Sequence, residues 1–451
     1  MLRRSSARVK LRNLAFAAIA GMAVGVRAEA PLSLGEAMRT ALQRSEEAQL
    51  LKEKESKLDA QKSGALSGAL PFVQLYANAG RGSSPFDPSA IGVKNAPVFN
   101  PVMNRYGYGV QVNQAIYSFG RVGQAYKVAD MALHSQAESN RRSRQQLELQ
   151  TLDAFYGAVN ARARTEVIKA SLKRQGETVA LMQSNFKMGA GQRSSVLLAT
   201  SALKGLEPQR IRAESDADGA RMALNRLVGR PVQGALELDT ASAAESALPA
   251  VDTSESGIQK ILESRPDLNG IQLQKEALSG IAREYRMLYL PSLGAQGKLG
   301  ILAYKLNNQL TDVDKNLDWQ IGVGLQWNIF DGFGQSSKAR EYDSDARTLD
   351  LAGRQAWSYA RIEIASSLRE ADAADTAYEA ARQARDAAGD ALQMLTEDFR
   401  SGKGQITDLL SAEEGMRNAE LGVLGARYQK VRAKAALRVA LGMELIEEGS
   451  K

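Results

Sequence analysis

The chain has 451 residues, with 58 lysines and arginines against 51 aspartates and glutamates, one histidine and no cysteine. The missing cysteines exclude disulfides, thiolate zinc sites and a lipidated N-terminal cysteine. Most of the formal charge of +7 sits in residues 1–28, which hold six basic and no acidic side chains, so the remainder carries about +1 and shows no basic stripe for nucleic acid.

Those first 28 residues have the layout of a secretory signal. Arg3, Arg4, Arg8, Lys10 and Arg12 precede a short apolar run from Leu14 to Val26, and Val26-Arg27-Ala28 is a small-residue cleavage site. The run is too short for a spanning helix. Residues 33–64 follow as an amphipathic helix, with Leu34, Ala37, Met38, Ala41 and Leu42 at helical spacing and Ser33 as N-cap.

Two period-two segments come next, at about 72–80 and 106–117. In the first, Val73, Leu75, Ala77 and Ala79 oppose Gln74, Tyr76 and Asn78; in the second, Tyr106, Tyr108, Val110 and Val112 oppose Gly107, Gly109, Gln111 and Asn113. A helical hairpin spans about 122–228, its outgoing arm ~100 Å long at 1.5 Å per residue. Gly189 is placed to end that arm. Residues 233–252, with Gly234 and Pro249, read as a linker. The plan then repeats: a helix over 254–289, strands at about 292–301 and 319–329, and a hairpin over about 338–441 with Gly402 at its tip. In the last strand Trp319, Ile321, Val323, Leu325, Trp327 and Ile329 share one face, and Gln320, Gly322, Gly324, Gln326 and Asn328 share the other.

The repetition is literal. Phe186-Lys187-Met188-Gly189-Ala190-Gly191-Gln192 returns 213 residues later as Phe399-Arg400-Ser401-Gly402-Lys403-Gly404-Gln405, and Leu42 pairs with Leu262 and Gly80 with Gly300 at an offset of 220. Residues 29–232 and 253–451 are therefore two copies of one helix–strand–strand–helix–helix unit. Each returning arm is about half the outgoing length. The arithmetic is met if the arm 194–228 stacks on helix 254–289 of the other copy.

Runs of about ten residues with one apolar face suit tilted strands in a bilayer. Trp319 and Trp327 are eight residues apart, a span of ~20 Å along the normal, the separation of two aromatic girdles. A soluble sheet with one wet face is the alternative. Four strands cannot close a barrel, and an open edge in lipid is costly. The chain must recruit copies of itself. Because Gly107, Gly109, Gly322 and Gly324 leave the inner face nearly empty, three copies and twelve strands around a lumen fit better than two.

The combined plan resembles the TolC-type outer-membrane efflux protein family over essentially the whole chain after the signal. The likeness rests on the tip stretch from Phe399 to Leu410, on Gln326-Trp327-Asn328-Ile329-Phe330-Asp331-Gly332, and on Leu262-Glu263-Ser264-Arg265-Pro266-Asp267-Leu268. It implies a mainly α fold with a membrane β-barrel: a homotrimer with a 12-stranded barrel and a long periplasmic α-helical tunnel. It also implies a passive exit duct, for type I protein secretion or for drug or metal efflux, that works with a periplasmic adaptor and an inner-membrane transporter.

No nucleophile motif, phosphate loop or metal-ligand spacing suggests an enzyme or a cofactor. The resemblance instead places Asp408 in a pore constriction, with Ser411 where the family has a second aspartate and Gly404 where it has an arginine. Glu413 and Glu414 could add charge deeper in the hairpin. Asp408 could equally serve the helix N-terminus. Gly189, Gly191, Gln192, Gly402, Gly404 and Gln405 form tips suited to an adaptor, or cap helices only. Tyr106, Tyr108, Trp319 and Trp327 are placed at lipid interfaces. A non-conducting coiled-coil spacer anchored in the outer membrane is the rival from another class.

Overall fold

The computed structural model describes residues 31–446 apart from 84, 86–87, 89–91, 95–96, 99, 190, 240–251, 253 and 306–310. The signal segment, most of the linker and parts of the strand–strand loops lie outside the described residues.

The first copy comprises α1 (Leu34–Arg44), α2 (Glu46–Leu66), β1 (Phe72–Ser83), β2 (Val102–Tyr117), α3 (Arg121–Lys187) and α4 (Arg193–Leu227). The second comprises α5 (Glu255–Ser264), α6 (Pro266–Met287), β3 (Ser292–Ala303), the single turn α7 (Val313–Asn316), β4 (Leu317–Gln326), α8 (Gly334–Arg400) and α9 (Ile406–Ala440). Helices α3 and α8 each have 67 residues. Ser33 caps α1 through a reciprocal box, its Oγ accepting from the Glu36 amide at 3.3 Å while its own amide donates to Glu36 Oε2 at 3.2 Å.

The entry helix of each copy is two helices rather than the single one expected over 33–64 and 254–289. The breaks fall at equivalent places. Ser45 turns extended (ψ 151°), and its Oγ accepts from the Ala48 amide at 3.0 Å, so it ends α1 and caps α2. In the second copy Pro266 occupies the first position of α6 and holds Arg265 extended at ψ 128°.

Each break receives the end of a returning arm, and the stacking runs within a copy, not between copies as the length arithmetic suggested. Gly229, just past α4, lies so near Arg44 that a Cβ on it would sit 2.9 Å from the Arg44 Cβ. Arg226 pairs with Glu47 at 2.7 Å. Gly442, just past α9, abuts Arg265 in the same way, at 3.3 Å. Both glycines have positive φ (66° and 77°), which lets the arm end abruptly.

The four strands form one antiparallel sheet in the order β1-β2-β3-β4. Strand β2 of the first copy pairs with β3 of the second, so the sheet runs unbroken through the repeat boundary and has open edges at β1 and β4. Beneath it, buried Leu152, Phe155, Leu224 and Val228 form one core with α1. Leu262, Ile364 and Leu437 centre a second, and Val179, Met182, Ala199, Ile406 and Leu409 a third near the tips. Among the described residues no helix is long and apolar enough to cross a membrane.

Candidate functional site: sheet faces, tips and the seam between hairpins

The register assembles the alternating residues into two faces. Val73, Val112, Gly297 and Ile321 share a row, as do Leu75, Val110, Leu299 and Trp319. This apolar face is uncovered: Leu75 is 83 %, Ile321 79 % and Trp319 65 % exposed. The opposite face carries Gln74, Tyr76, Asn78, Gln111, Asn113, Gln296, Lys298 and Gln320 with glycines between them. Gly109 has a steric reason to be glycine, since a Cβ there would lie 2.3 Å from the Leu299 carbonyl oxygen. Tyr106 and Tyr108 sit on the apolar face, the latter 44 % exposed. Strand β4 ends at Gln326, so Trp327 lies in the turn that follows; it stays 56 % exposed while its Nε1 donates to the Tyr289 carbonyl at 2.9 Å.

Strand passes to helix through two successive left-handed residues in both copies, Phe119-Gly120 and Gly332-Phe333, with φ of 50°, 82°, 70° and 69°. The glycine and phenylalanine trade places between copies. A left-handed phenylalanine costs roughly 1–2 kcal/mol, and each packs on a nearby preceding aromatic, Tyr117 at the end of β2 at 4.7 Å and Phe330 beyond the end of β4 at 5.3 Å between centroids. Asp331 ties down the second turn. Its Oδ2 accepts from the Gln335 amide at 2.7 Å and its Oδ1 from the Tyr289 hydroxyl at 2.9 Å. The amide bond, foremost, holds its carboxyl below the usual range.

At the far end both hairpin turns have one geometry. Gly189 and Gly402 take φ of 76° and 77°. Gly191 and Gly404 press on the preceding helix, where a Cβ would stand 3.1 Å from the Phe186 nitrogen and 3.0 Å from the Phe399 nitrogen. Gln192 and Gln405 start the returning arms in extended conformation without side-chain caps. The first tip exposes Phe186 (46 %) and Met188 (69 %); at the second, Arg400, Ser401 and Lys403 are exposed.

Asp408 lies in the first turn of α9, with Gln405 in the capping position, so it adds negative charge near the free amides without capping them. It is exposed, its Oδ1 accepting only a long bond from Thr407 Oγ1 at 3.4 Å, and Ser411 is exposed one turn on. Glu413 differs from expectation. It is buried at 3 % exposure against α3, where its Oε1 accepts from Thr178 Oγ1 at 2.9 Å, so it faces the neighbouring hairpin rather than a pore. Burial pushes its carboxyl above the usual range despite the bond from Thr178 and the nearby Arg174 and Arg417. Glu414 is exposed and pairs with Arg417 at 3.5 Å.

Glu413 belongs to a polar seam between α3 and α9 that sequence spacing did not reveal. Arg174 pairs with Glu420 at 3.2 Å, and Asp153 accepts from Tyr428 at 3.3 Å and pairs with Arg432 at 3.2 Å. His134 stays on the exposed face of α3, its Nδ1 2.9 Å from the Asp130 carbonyl oxygen. Higher up, Arg265 is buried at the α5–α6 break. It donates to the Ala440 carbonyl at 2.7 Å, to both oxygens of Asp267 at 3.0 and 2.8 Å, and to Glu363 at 2.7 Å. Burial pushes the Asp267 carboxyl up, but the Arg265 bonds outweigh it and hold the group below the usual range.

Comparison with known proteins agrees with this architecture. The chain is 25 % identical over 320 residues to the outer membrane protein TolC of Vibrio cholerae serotype O1, covering 68 % of this chain and 70 % of that protein. It is 24 % identical over 350 residues to the alkaline protease secretion protein AprF of Pseudomonas aeruginosa, with 74 % and 69 % covered. Among solved structures, the CmeC outer membrane channel of Campylobacter jejuni superposes with a TM-score of 0.74 at 18 % identity over 92 % of this chain and 87 % of that one. The outer membrane protein VceC of Vibrio cholerae does so with 0.72 at 19 % identity over 92 % and 97 %. The profile described as "Outer membrane efflux protein" matches residues 38–230 and 257–443, one stretch per copy, and the chain therefore belongs to that outer-membrane channel family, with its long helical hairpins in the periplasm.

Proposed function

We propose that three copies of this chain close a 12-stranded barrel by pairing the β4 edge of one with the β1 edge of the next, and that the assembly is the passive exit duct of a tripartite export system. The observation carrying this reading is a four-stranded sheet whose apolar face is uncovered and whose two edges are open. In lipid, unpaired edges cost several kcal/mol per backbone group, which closure removes. The uncovered face supplies the lipid contact, with Tyr106, Tyr108, Trp319 and Trp327 at the interfaces. The helical hairpins continue the duct into the periplasm. There the paired glycine turns at Gly189–Gln192 and Gly402–Gln405 receive an adaptor that links to an inner-membrane transporter, and three Asp408 side chains ring the entrance with Ser411 behind them.

The relative named for alkaline protease secretion supports protein as one cargo class. The test is single-channel current across a planar bilayer, using detergent-purified protein lacking residues 1–28. Discrete, cation-preferring steps are expected. A protein that inserts without conducting, or never inserts, would return the non-conducting spacer to first place.

A further inference from the structure

Only four charged side chains occur in the described strands: Arg81, Arg105, Lys298 and Asp318. Alternation puts Arg81, opposite Asn104, on the face of the apolar residues at the outer end of β1. The other three are on the polar face. Two of these make a compact group with an aromatic ring. Lys298 Nζ bonds Asp318 Oδ2 at 2.9 Å and stands 5.0 Å from the centre of the Tyr76 ring. Tyr76, Gly109, Gly300 and Asp318 form one row across all four strands. The Tyr76 hydroxyl reaches so far over the two glycines that a Cβ on Gly109 would lie 2.9 Å from it, and one on Gly300 2.5 Å. The ring thus lies along the sheet instead of standing off it, and it seats the ammonium group next to the wall.

We infer that Lys298 and Asp318, seated by Tyr76, form a charged station on the lumen wall that sets the ion preference of the barrel end of the duct. This rests on the reading that the polar face lines a conducting pore. The neighbouring wall positions are Gln111, Gln296, Gln320 and the glycines Gly109, Gly300 and Gly322, none of which carries charge. Rings of charged side chains on an otherwise neutral wall decide which ions pass. Lys298 and Asp318 are each one-third exposed, so both meet the lumen while paired. With Arg105 on the same face, the described strands place two basic side chains and one acidic one per chain on this wall, a balance opposite in sign to Asp408 at the tip. The duct is then polarised: an acidic entrance attracts cations, and a weakly basic exit favours anions.

The chain has no cysteine, so Lys298→Cys introduces a unique thiol. Its purified channels, recorded in a potassium chloride gradient, are treated with a cationic and then, in a separate sample, an anionic thiosulfonate. A unit charge acts on an ion ~10 Å away by about two-fold in water, and more weakly as salt screens it. At low salt the anionic adduct should raise the potassium-to-chloride permeability ratio by about two-fold or more, and the cationic adduct should lower it relative to the free thiol. Asp318→Asn, which leaves Lys298 unpaired, should lower the same ratio in an otherwise native channel. Complete labelling without a change in the ratio, or a thiol that neither reagent reaches in open channels, would overturn the inference while leaving the pore intact. An unchanged ratio in Asp318→Asn would overturn it too. A native protein that never conducts would instead refute the duct reading on which it depends.

Discussion

Replacing Arg265 should loosen one junction of the molecule and spare its counterpart. The guanidinium is only 2 % exposed and makes four hydrogen bonds, to Ala440, Asp267 and Glu363. Removing one partner of a buried ion pair costs about 3–5 kcal/mol. Asp267 and Glu363 retain 31 % and 41 % exposure, and Glu363 keeps Arg142 at 3.0 Å, so the lower end applies. At ~3 kcal/mol, Arg265→Ala should increase local opening by roughly a hundred-fold. Amide hydrogen exchange of the detergent-purified protein reads this directly. The amides of Leu441, Gly442 and Met443, which bond back to Leu437, Val439 and Arg438, should exchange about that much faster. The matching junction of the first copy is the control. Arg226 and Glu47 pair there with 53 % and 36 % exposure, and Arg226→Ala should cost under about 1 kcal/mol. Equal effects from the two substitutions, or faster exchange spread evenly to the tips, would refute the assignment of Arg265 as the local lock.

The same junction should weaken in acid. The carboxyl of Asp267 is held below its ordinary value of 3.8, so its contribution is complete above that pH and disappears as pH falls through the folded value; the protection of the Leu441–Met443 amides, taken relative to the intrinsic exchange rate at each pH, should fall below about pH 4. Glu413 should behave oppositely. Burial raises it above 4.5, so the α3–α9 seam loses stability as pH rises through the folded value; Glu413→Gln should slow exchange along the seam several-fold at pH 7 and change little near pH 4. A variant that loosened the seam at neutral pH would contradict this. Gly404→Leu should shift the second tip, because its Cβ meets the Phe399 backbone at 3.0 Å; on the proposed duct, export should fail while chemical cross-linking still captures the proposed trimers. Unimpaired export would remove the docking role.

Much of this architecture is legible in the sequence. Period-two alternation exposes a strand because side chains point to opposite faces, and the repeated glycine tips mark turns because only glycine readily takes φ near 76°. Ser45 gave no warning, since serine is tolerated in a helix and acts as a cap only once its backbone turns extended. Pro266 is a visible breaker, yet matching 254–289 to the first copy's entry helix passed over it. Length could show that a returning arm needs a partner but not which copy supplies it; that depends on where Gly229 and Gly442 land. Asp408 is harder still, because its carboxylate is exposed in the single chain and its role in the proposed ring depends on contacts that spacing within one sequence does not encode.

The pairing of β2 with β3 has one more consequence. Those strands come from different repeats, so the chain contains, within itself, a junction between the end of one unit and the start of the next. On the proposed trimer, β4 meeting β1 of a neighbour is the same junction made between molecules. The wall is then six equivalent hairpins with six equivalent seams, half closed covalently before any encounter and half left for assembly. In that assembly a chain of one unit would have to bring six copies together in the membrane, whereas this one would bring three, and each makes the contact once within itself as it folds.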